Sequence, residues 1–136
     1  MAINIRQHLD LDFETEECHT IIPEGASLKF YEKFFDEFNL PFPCRFIAKF
    51  DGQIESGLGS SASAAVALIG AINKLLGESM TLDEIAEKAW DIEVNKLGLF
   101  GGRQDQYCSA FGGVNVMEFG KEGKVTPLAR GFIEKL

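Results

Sequence analysis

The sequence predicts an α+β domain, and three observations carry that expectation. Short segments alternate apolar and polar residues, amphipathic segments of about a dozen residues repeat at helical spacing, and one longer segment is apolar on nearly every side. At 136 residues, with 46% hydrophobic and 25% charged residues, the chain has the length and composition of one globular domain with a real core. No internal repeat, low-complexity tract or linker divides it, so residues 1–136 are taken as one unit.

Residues 3–7 and 9–15 alternate at period two and are expected as strands. Asp10, Asp12, Glu14 and Glu16 then fall on one face, which the alternation explains as a solvated strand face rather than a set of catalytic carboxylates. Pro23-Glu24-Gly25 signals a turn. Over residues 27–39, Leu28, Tyr31, Phe34, Phe35 and Phe38 recur at helical spacing opposite Glu32, Lys33, Asp36 and Glu37, and Pro41 and Pro43 end that helix. Residues 44–50 alternate Cys44, Phe46, Ala48 and Phe50 with polar and apolar neighbours, giving another strand.

A helix starting at Ser60 is apolar on nearly all sides through Ile72 and is expected as the central buried helix, stopped by Gly77. Thr81-Leu82-Asp83-Glu84 reads as a capping box that opens a helix running to about Leu97. A glycine-rich loop from Gly98 leads to a short helix over residues 105–111, closed by Gly112-Gly113. A strand over 114–119, a hairpin turn over 120–123 and a strand over 124–128 follow.

The formal net charge of −8 excludes non-specific nucleic-acid binding, which needs a basic surface. A nucleotide bound to so acidic a chain would need a divalent cation, so an ATP ligand implies magnesium. No apolar run approaches the roughly 20 residues of a membrane span, and no basic, apolar, small-residue leader is present, so a cytoplasmic location is expected. Cys18, Cys44 and Cys108 are scattered and fit no disulfide or metal framework, in keeping with a reducing compartment. His19 adjoins Cys18, but neighbours on a strand point to opposite faces and do not share a metal.

Three places carry candidate chemistry. In Glu55-Ser56-Gly57-Leu58-Gly59-Ser60-Ser61-Ala62, two glycines permit positive φ and close backbone approach, and the helix that follows presents unpaired amides and its positive dipole end. That makes an anion site suited to phosphate, the plainer alternative being a glycine turn with a serine N-cap. Glu93 sits inside the apolar sector formed by Leu82, Ile85, Ala86, Ala89, Trp90, Ile92 and Leu97. A carboxylate there either binds a cation or lies at a frayed end, paired with Lys96 or Arg103. Asp105 falls in the first turn of its helix, where the dipole and the adjacent Arg103 favour its ionised form, and it is either a plain cap or an acid-base group.

Two familiar nucleotide motifs fail. Gly57, Gly59 and Ala62 match the dinucleotide fingerprint, but residues 51–56 separate the first glycine from its strand, and Glu78 leads into a helix instead of ending a second strand. No Lys-Ser/Thr pair follows at the spacing of a P-loop.

Gly57-Leu58-Gly59-Ser60-Ser61-Ala62 resembles the second motif of the GHMP kinases, and Gly102-Arg103-Gln104-Asp105-Gln106-Tyr107 with Ala110-Phe111-Gly112-Gly113-Val114-Asn115 resembles the catalytic-aspartate segment of the sugar-kinase branch, most like heptose 7-phosphate kinases. The resemblance implies a two-layer α+β fold of the ribosomal-protein-like type and ATP- and Mg2+-dependent phosphoryl transfer to a sugar or sugar phosphate. It further implies that Asp105, with Arg103 beside it, takes or orients the acceptor proton, that Ser61 and Glu93 are magnesium ligands, and that the backbone of Gly57, Leu58, Gly59, Ser60, Ser61 and Ala62 holds the phosphates.

Gln53 stands where the family has proline. The family's sugar-binding first motif and its glycine-rich third motif are both missing, so the domain is expected to be incomplete at both ends, to bind ATP weakly and not to turn over by itself. The rival expectation is a non-catalytic nucleotide-binding or dimerisation module, with oligomerisation covering the apolar surface left by the missing parts.

Overall fold

The computed structural model describes residues 7–12, 19–22, 24–39, 45–51, 59–77, 79–120 and 123–127. The alternating N-terminal residues form β1 (Gln7–Asp12), followed by the short β2 (His19–Ile21). Then come α1 (Leu28–Glu37), β3 (Arg45–Phe50) and the 16-residue α2 (Ser60–Leu75). α3 (Leu82–Asp91) runs on into a π-helical turn (Ile92–Lys96), and α4 (Gln104–Phe111) precedes the β4 (Asn115–Phe119) and β5 (Gly123–Pro127) hairpin.

β3 is the middle strand of a sheet of order β1-β3-β2, antiparallel to β1 and parallel to β2. In that register Asp12 lies opposite Arg45, and the Arg45 guanidinium reaches both Asp12 at 3.3 Å and Asp10 at 3.7 Å. The acidic set is thus a solvated strand face as far as it is described. β2 was not apparent in the sequence, because three residues carry no readable period and its strand geometry comes from pairing with β3.

Helices cover one side of the sheet. Phe46 and Ala48 of β3 are fully buried, and Phe46 meets the rings of Tyr31 and Phe35 from α1 at centroid distances of 4.9 and 5.1 Å. Burying each such aromatic contributes about 1.5–3 kcal/mol. Leu28, expected in the same stripe, is exposed, because the first turn of α1 lies past the core. α2 is buried along Ala64, Ala65, Leu68, Ile69 and Ile72 and lies against β1, α3 and α4. It is central as expected, although its last residue, Leu75, and the C-cap, Leu76, emerge into solvent before Gly77 turns the chain at φ 70°.

The capping box of α3 forms. Thr81 Oγ1 accepts the Glu84 N–H at 3.3 Å, and the Glu84 carboxylate accepts the Thr81 N–H at 2.7 Å. Two features of this helix depart from expectation. Leu82 is exposed, as a first-turn residue beyond the packed interface, and the α-helix stops at Asp91, where the chain widens into the π turn closed by Leu97 N–H on the Ile92 carbonyl at 2.9 Å.

The β4–β5 hairpin pairs Phe119 with Gly123 in antiparallel register, as its turn residues predicted. Several expectations lie outside the described residues: the strand over 3–7 apart from Gln7, Glu14, Glu16, Cys18, Pro23, Pro41, Pro43, Cys44, Gln53, Gly57, Leu58, Glu78, the hairpin tip at Lys121 and Glu122, and Leu128.

Candidate active site

Gly59 is the N-cap of α2 and adopts a left-handed conformation, φ 67° and ψ 34°, with no side-chain cap. The serine-cap reading of this turn is therefore replaced by a glycine turn. Only glycine enters that conformation without strain. The first helical bond is donated by Ser63 N–H to the Gly59 carbonyl at 2.9 Å, so the amides of Ser60, Ser61 and Ala62 precede the hydrogen-bonded ladder at the positive end of the helix. Ser61 is exposed and Ala62 buried.

Glu93 lies in the π turn, 3% exposed. Its Oε2 accepts Gln106 Nε2–H at 2.6 Å, and the Ser61 hydroxyl lies near enough to favour its ionised form. Burial pushes its pKa above the ordinary carboxylate value; the Gln106 hydrogen bond and the Ser61 hydroxyl oppose this, and the nearby Asp105 charge adds to it. The alternative of a frayed end paired with a cation does not hold, because Lys96 sits 3.8 Å from Glu37 and Arg103 is engaged by Glu87. Glu93 thus has no cationic partner among the described residues.

Asp105 occupies the first turn of α4. A Cβ placed on Gly59 would lie 3.6 Å from the Asp105 Cβ and Cγ and 3.8 Å from its Oδ2, so the Asp105 carboxyl faces the glycine turn across a gap that a methyl group would fill. Beside Asp105, at the first turn of α2, lies a cleft of about 270 Å³ lined by Ser61, Ala62, Glu93, Asp105, Gln106 and the loop residues Leu99 to Gly102.

Arg103 does not serve Asp105 as the sequence reading expected. Its Nε donates to Glu87 Oε2 at 3.0 Å, and its guanidinium lies 4.0 Å from the Trp90 ring centroid. Tyr107, one turn further along α4 and 1% exposed, donates its hydroxyl to Glu87 Oε1 at 2.7 Å. Sequence reasoning missed Glu87, Gln106 and Tyr107. The four-residue step from Arg103 to Tyr107, which puts both on one helical face, was the signal available. Nothing in the sequence joins that face to Glu87, sixteen residues upstream of Arg103.

The oxygen donors of Glu93 and Ser61, next to the Asp105 charge, fit a hard cation that completes its shell with water and phosphate. No group of three His, Cys, Asp or Glu side chains among the described residues forms a self-sufficient metal cage. A cation here would depend on the ligand it arrives with.

The model of the GHMP kinases N terminal domain matches residues 24–113, which takes in α1 through α4. This chain belongs to the GHMP kinase family. It is 47% identical over 64 residues to the D-glycero-alpha-D-manno-heptose 7-phosphate kinase of Campylobacter jejuni, a match covering 47% of this chain and 19% of that enzyme. It is 41% identical over 75 residues to the mevalonate kinase of Pyrococcus horikoshii, covering 55% of this chain and 21% of that enzyme. The crystal structure of a D-glycero-D-manno-heptose 1-phosphate kinase from Bacteroides thetaiotaomicron superposes with a TM-score of 0.76 at 27% identity, over 93% of this chain and 49% of that one. The GHMP chain described here therefore spans about half the length of that solved structure, and its matches take in about a fifth of each of those curated relatives.

Proposed function

We propose that the protein carrying this chain transfers the γ-phosphoryl group of ATP to a hydroxyl of a sugar or sugar phosphate, with magnesium, and that the acceptor is of the heptose 7-phosphate type. One observation carries the reading: the Asp105 carboxyl faces the left-handed Gly59, which begins α2, with room for little more than a methyl group between them. A phosphate seated on the α2 amides lies within reach of the one exposed carboxylate on the first turn of α4.

The roles follow from the donor chemistry. Amides of Ser60, Ser61 and Ala62, with residues 57–59 as the family motif implies, hold phosphate oxygens. Asp105 accepts the proton of the acceptor hydroxyl as its oxygen bonds to the γ-phosphorus and the bond to the leaving ADP oxygen breaks. Glu93 and Ser61 would hold Mg2+, which supplies charge neutralisation to the phosphates when bound. Gln106 orients the Glu93 carboxylate. Arg103 acts through Glu87 and Trp90 as a positioning residue rather than on the substrate. Catalysis in such a site is mainly alignment and electrostatics.

Residues 1–136 act in this reading as part of an N-terminal ATP-binding domain, in a cytoplasmic protein to which the free Cys108 thiol is suited. Among the described residues no helix is long and apolar enough to cross a membrane. By itself the 136-residue chain is expected to bind Mg-ATP weakly without turnover. ADP release is to be measured with heptose 7-phosphate, other sugar phosphates and mevalonate, in the chain alone and in the protein that carries it. Release dependent on a heptose phosphate in the carrying protein supports the assignment, mevalonate-dependent release reassigns the acceptor, and release by the chain alone refutes the expected inactivity. No acceptor-dependent release in either overturns the kinase reading.

A non-catalytic nucleotide-binding or dimerisation unit is the second reading, favoured by Val114, just before β4, and Val116 within it, which are 46 and 50% exposed on one face. Size-exclusion chromatography with and without Mg-ATP separates the two.

A further inference from the structure

Glu87 ties α3 to α4 at two points through one carboxylate. It lies on α3, its Oε2 takes Arg103 Nε–H at 3.0 Å at the N-cap of α4, and its Oε1 takes the Tyr107 hydroxyl at 2.7 Å one turn later. Asp105 sits between those two anchor points. Trp90, three residues after Glu87 and so on the same side of α3, stacks on the Arg103 guanidinium at 4.0 Å and donates Nε1–H to the Gly101 carbonyl at 3.4 Å. The Arg103 guanidinium is therefore gripped by a carboxylate and a ring, and the cleft-lining loop is tied to the same helix.

We propose that Glu87 is a positioning residue: by clamping Arg103 and Tyr107 it sets the rotation and height of the first turn of α4, and so holds Asp105 facing Gly59. The physical need is clear from the connections on either side. Residues 98–102 include three glycines, Gly98, Gly101 and Gly102, and Gly98 has φ 69°, so the covalent chain leading into α4 imposes little direction. Beyond Tyr107 the helix has only one further turn before Gly112. A helix so short takes its placement from tertiary contacts. Burial and the Glu87 charge hold the Tyr107 phenol in its protonated form, so it remains a donor. An error of an ångström in the placement of a reacting group costs about a hundredfold in rate, which gives the clamp its consequence.

The test compares Glu87→Ala and Glu87→Gln with the parent chain by amide hydrogen exchange and fluorescence. Trp90 is the sole tryptophan, so its emission reports this cluster alone. In Glu87→Ala, exchange over residues 107–111, whose amides carry the α4 ladder from Tyr107 N–H on the Arg103 carbonyl onward, should rise about tenfold or more, the loss expected for a hydrogen bond to a charged group, while α2 and β3 keep their protection. Acrylamide should quench Trp90 more strongly once Arg103 leaves the ring. Glu87→Gln, which keeps an acceptor for Tyr107 and loses the charge, should fall between, and it decides the matter if Glu87→Ala does not fold.

Exchange over 107–111 that stays at the parent level, or that rises equally in α2 and β3, overturns the proposal. The catalytic arm rests on the kinase reading: in the protein that carries this chain, Glu87→Ala should lower kcat about 10- to 100-fold with KM for ATP within about twofold. A parent without phosphoryl transfer defeats that reading and leaves exchange and fluorescence to decide the clamp.

Discussion

Glu93 and Asp105 are two carboxylates a few ångströms from one helix terminus, and their surroundings push them toward different work. Burial with no cationic partner among the described residues makes ionised Glu93 a burden on the ligand-free chain. A carboxyl whose folded pKa is raised contributes most to stability below its ordinary value of 4.5, and that contribution is lost as pH rises through the raised value. Glu93→Gln, measured by thermal unfolding at neutral pH without metal, should therefore raise stability, on the order of 1 kcal/mol, and the same variant should raise the magnesium needed for nucleotide binding. An unchanged magnesium titration would leave Glu93 a structural residue. Asp105, exposed and in reach of the cleft, should behave oppositely: Asp105→Asn in the protein that carries this chain is expected to cost about 10²- to 10⁴-fold in transfer with nucleotide affinity nearly unchanged. Retained activity would remove Asp105 from the role. Both acids were legible in the sequence, Glu93 from a charge misplaced on an apolar face and Asp105 from its helix start. Glu87 was not, because its polar neighbours on α3 look the same and only the fold brings α4 to it.

At the scale of elements, Gly59 is the sharpest local requirement. Gly59→Ala forces a side chain into φ 67° and sets its Cβ in contact with Asp105, so a stability loss of about 1–2 kcal/mol is expected from the backbone term, together with weaker nucleotide binding; calorimetric unfolding and nucleotide titration measure the two. The start of α3 offers a second test. Hydrogen bonds from Thr81 hold the Glu84 carboxyl below its ordinary value, so its contribution is present above pH 4.5 and is lost as pH falls through the lowered value. Thr81→Ala should cost about 1 kcal/mol at neutral pH, and the difference from the parent should shrink in an acid titration. The π turn belongs to this scale too. It starts one residue before Glu93, and wide turns of this kind recur at functional sites, yet five residues hold no periodic trace of one.

For the whole molecule, the sheet and α2 form the frame that brings two loops distant in sequence into one cleft. Ligand binding to that frame should stabilise it by mass action: at tenfold excess over its dissociation constant, Mg-ATP should raise unfolding free energy by about 1.4 kcal/mol, and Glu93→Gln should blunt that gain. Equal stabilisation of parent and variant would take Glu93 out of the metal site. The core itself is less forgiving. Phe46, buried against Tyr31 and Phe35, should cost about 3–5 kcal/mol on truncation to Ala in denaturant unfolding, a large share of the stability of an ordinary domain.

Local pattern decided the helices, β1, β3, the hairpin, the capping box and the family motifs, because period, caps and turns depend on residues close together in the chain. β2, the π turn, the exposure of Leu28 and Leu82 and the diversion of Arg103 to Glu87 were decided by tertiary structure, since each depends on a partner brought from another element. The facing of Gly59 and Asp105 is of the second kind. Both residues could be named from the sequence, but only the packing of α4 against α2 sets them side by side.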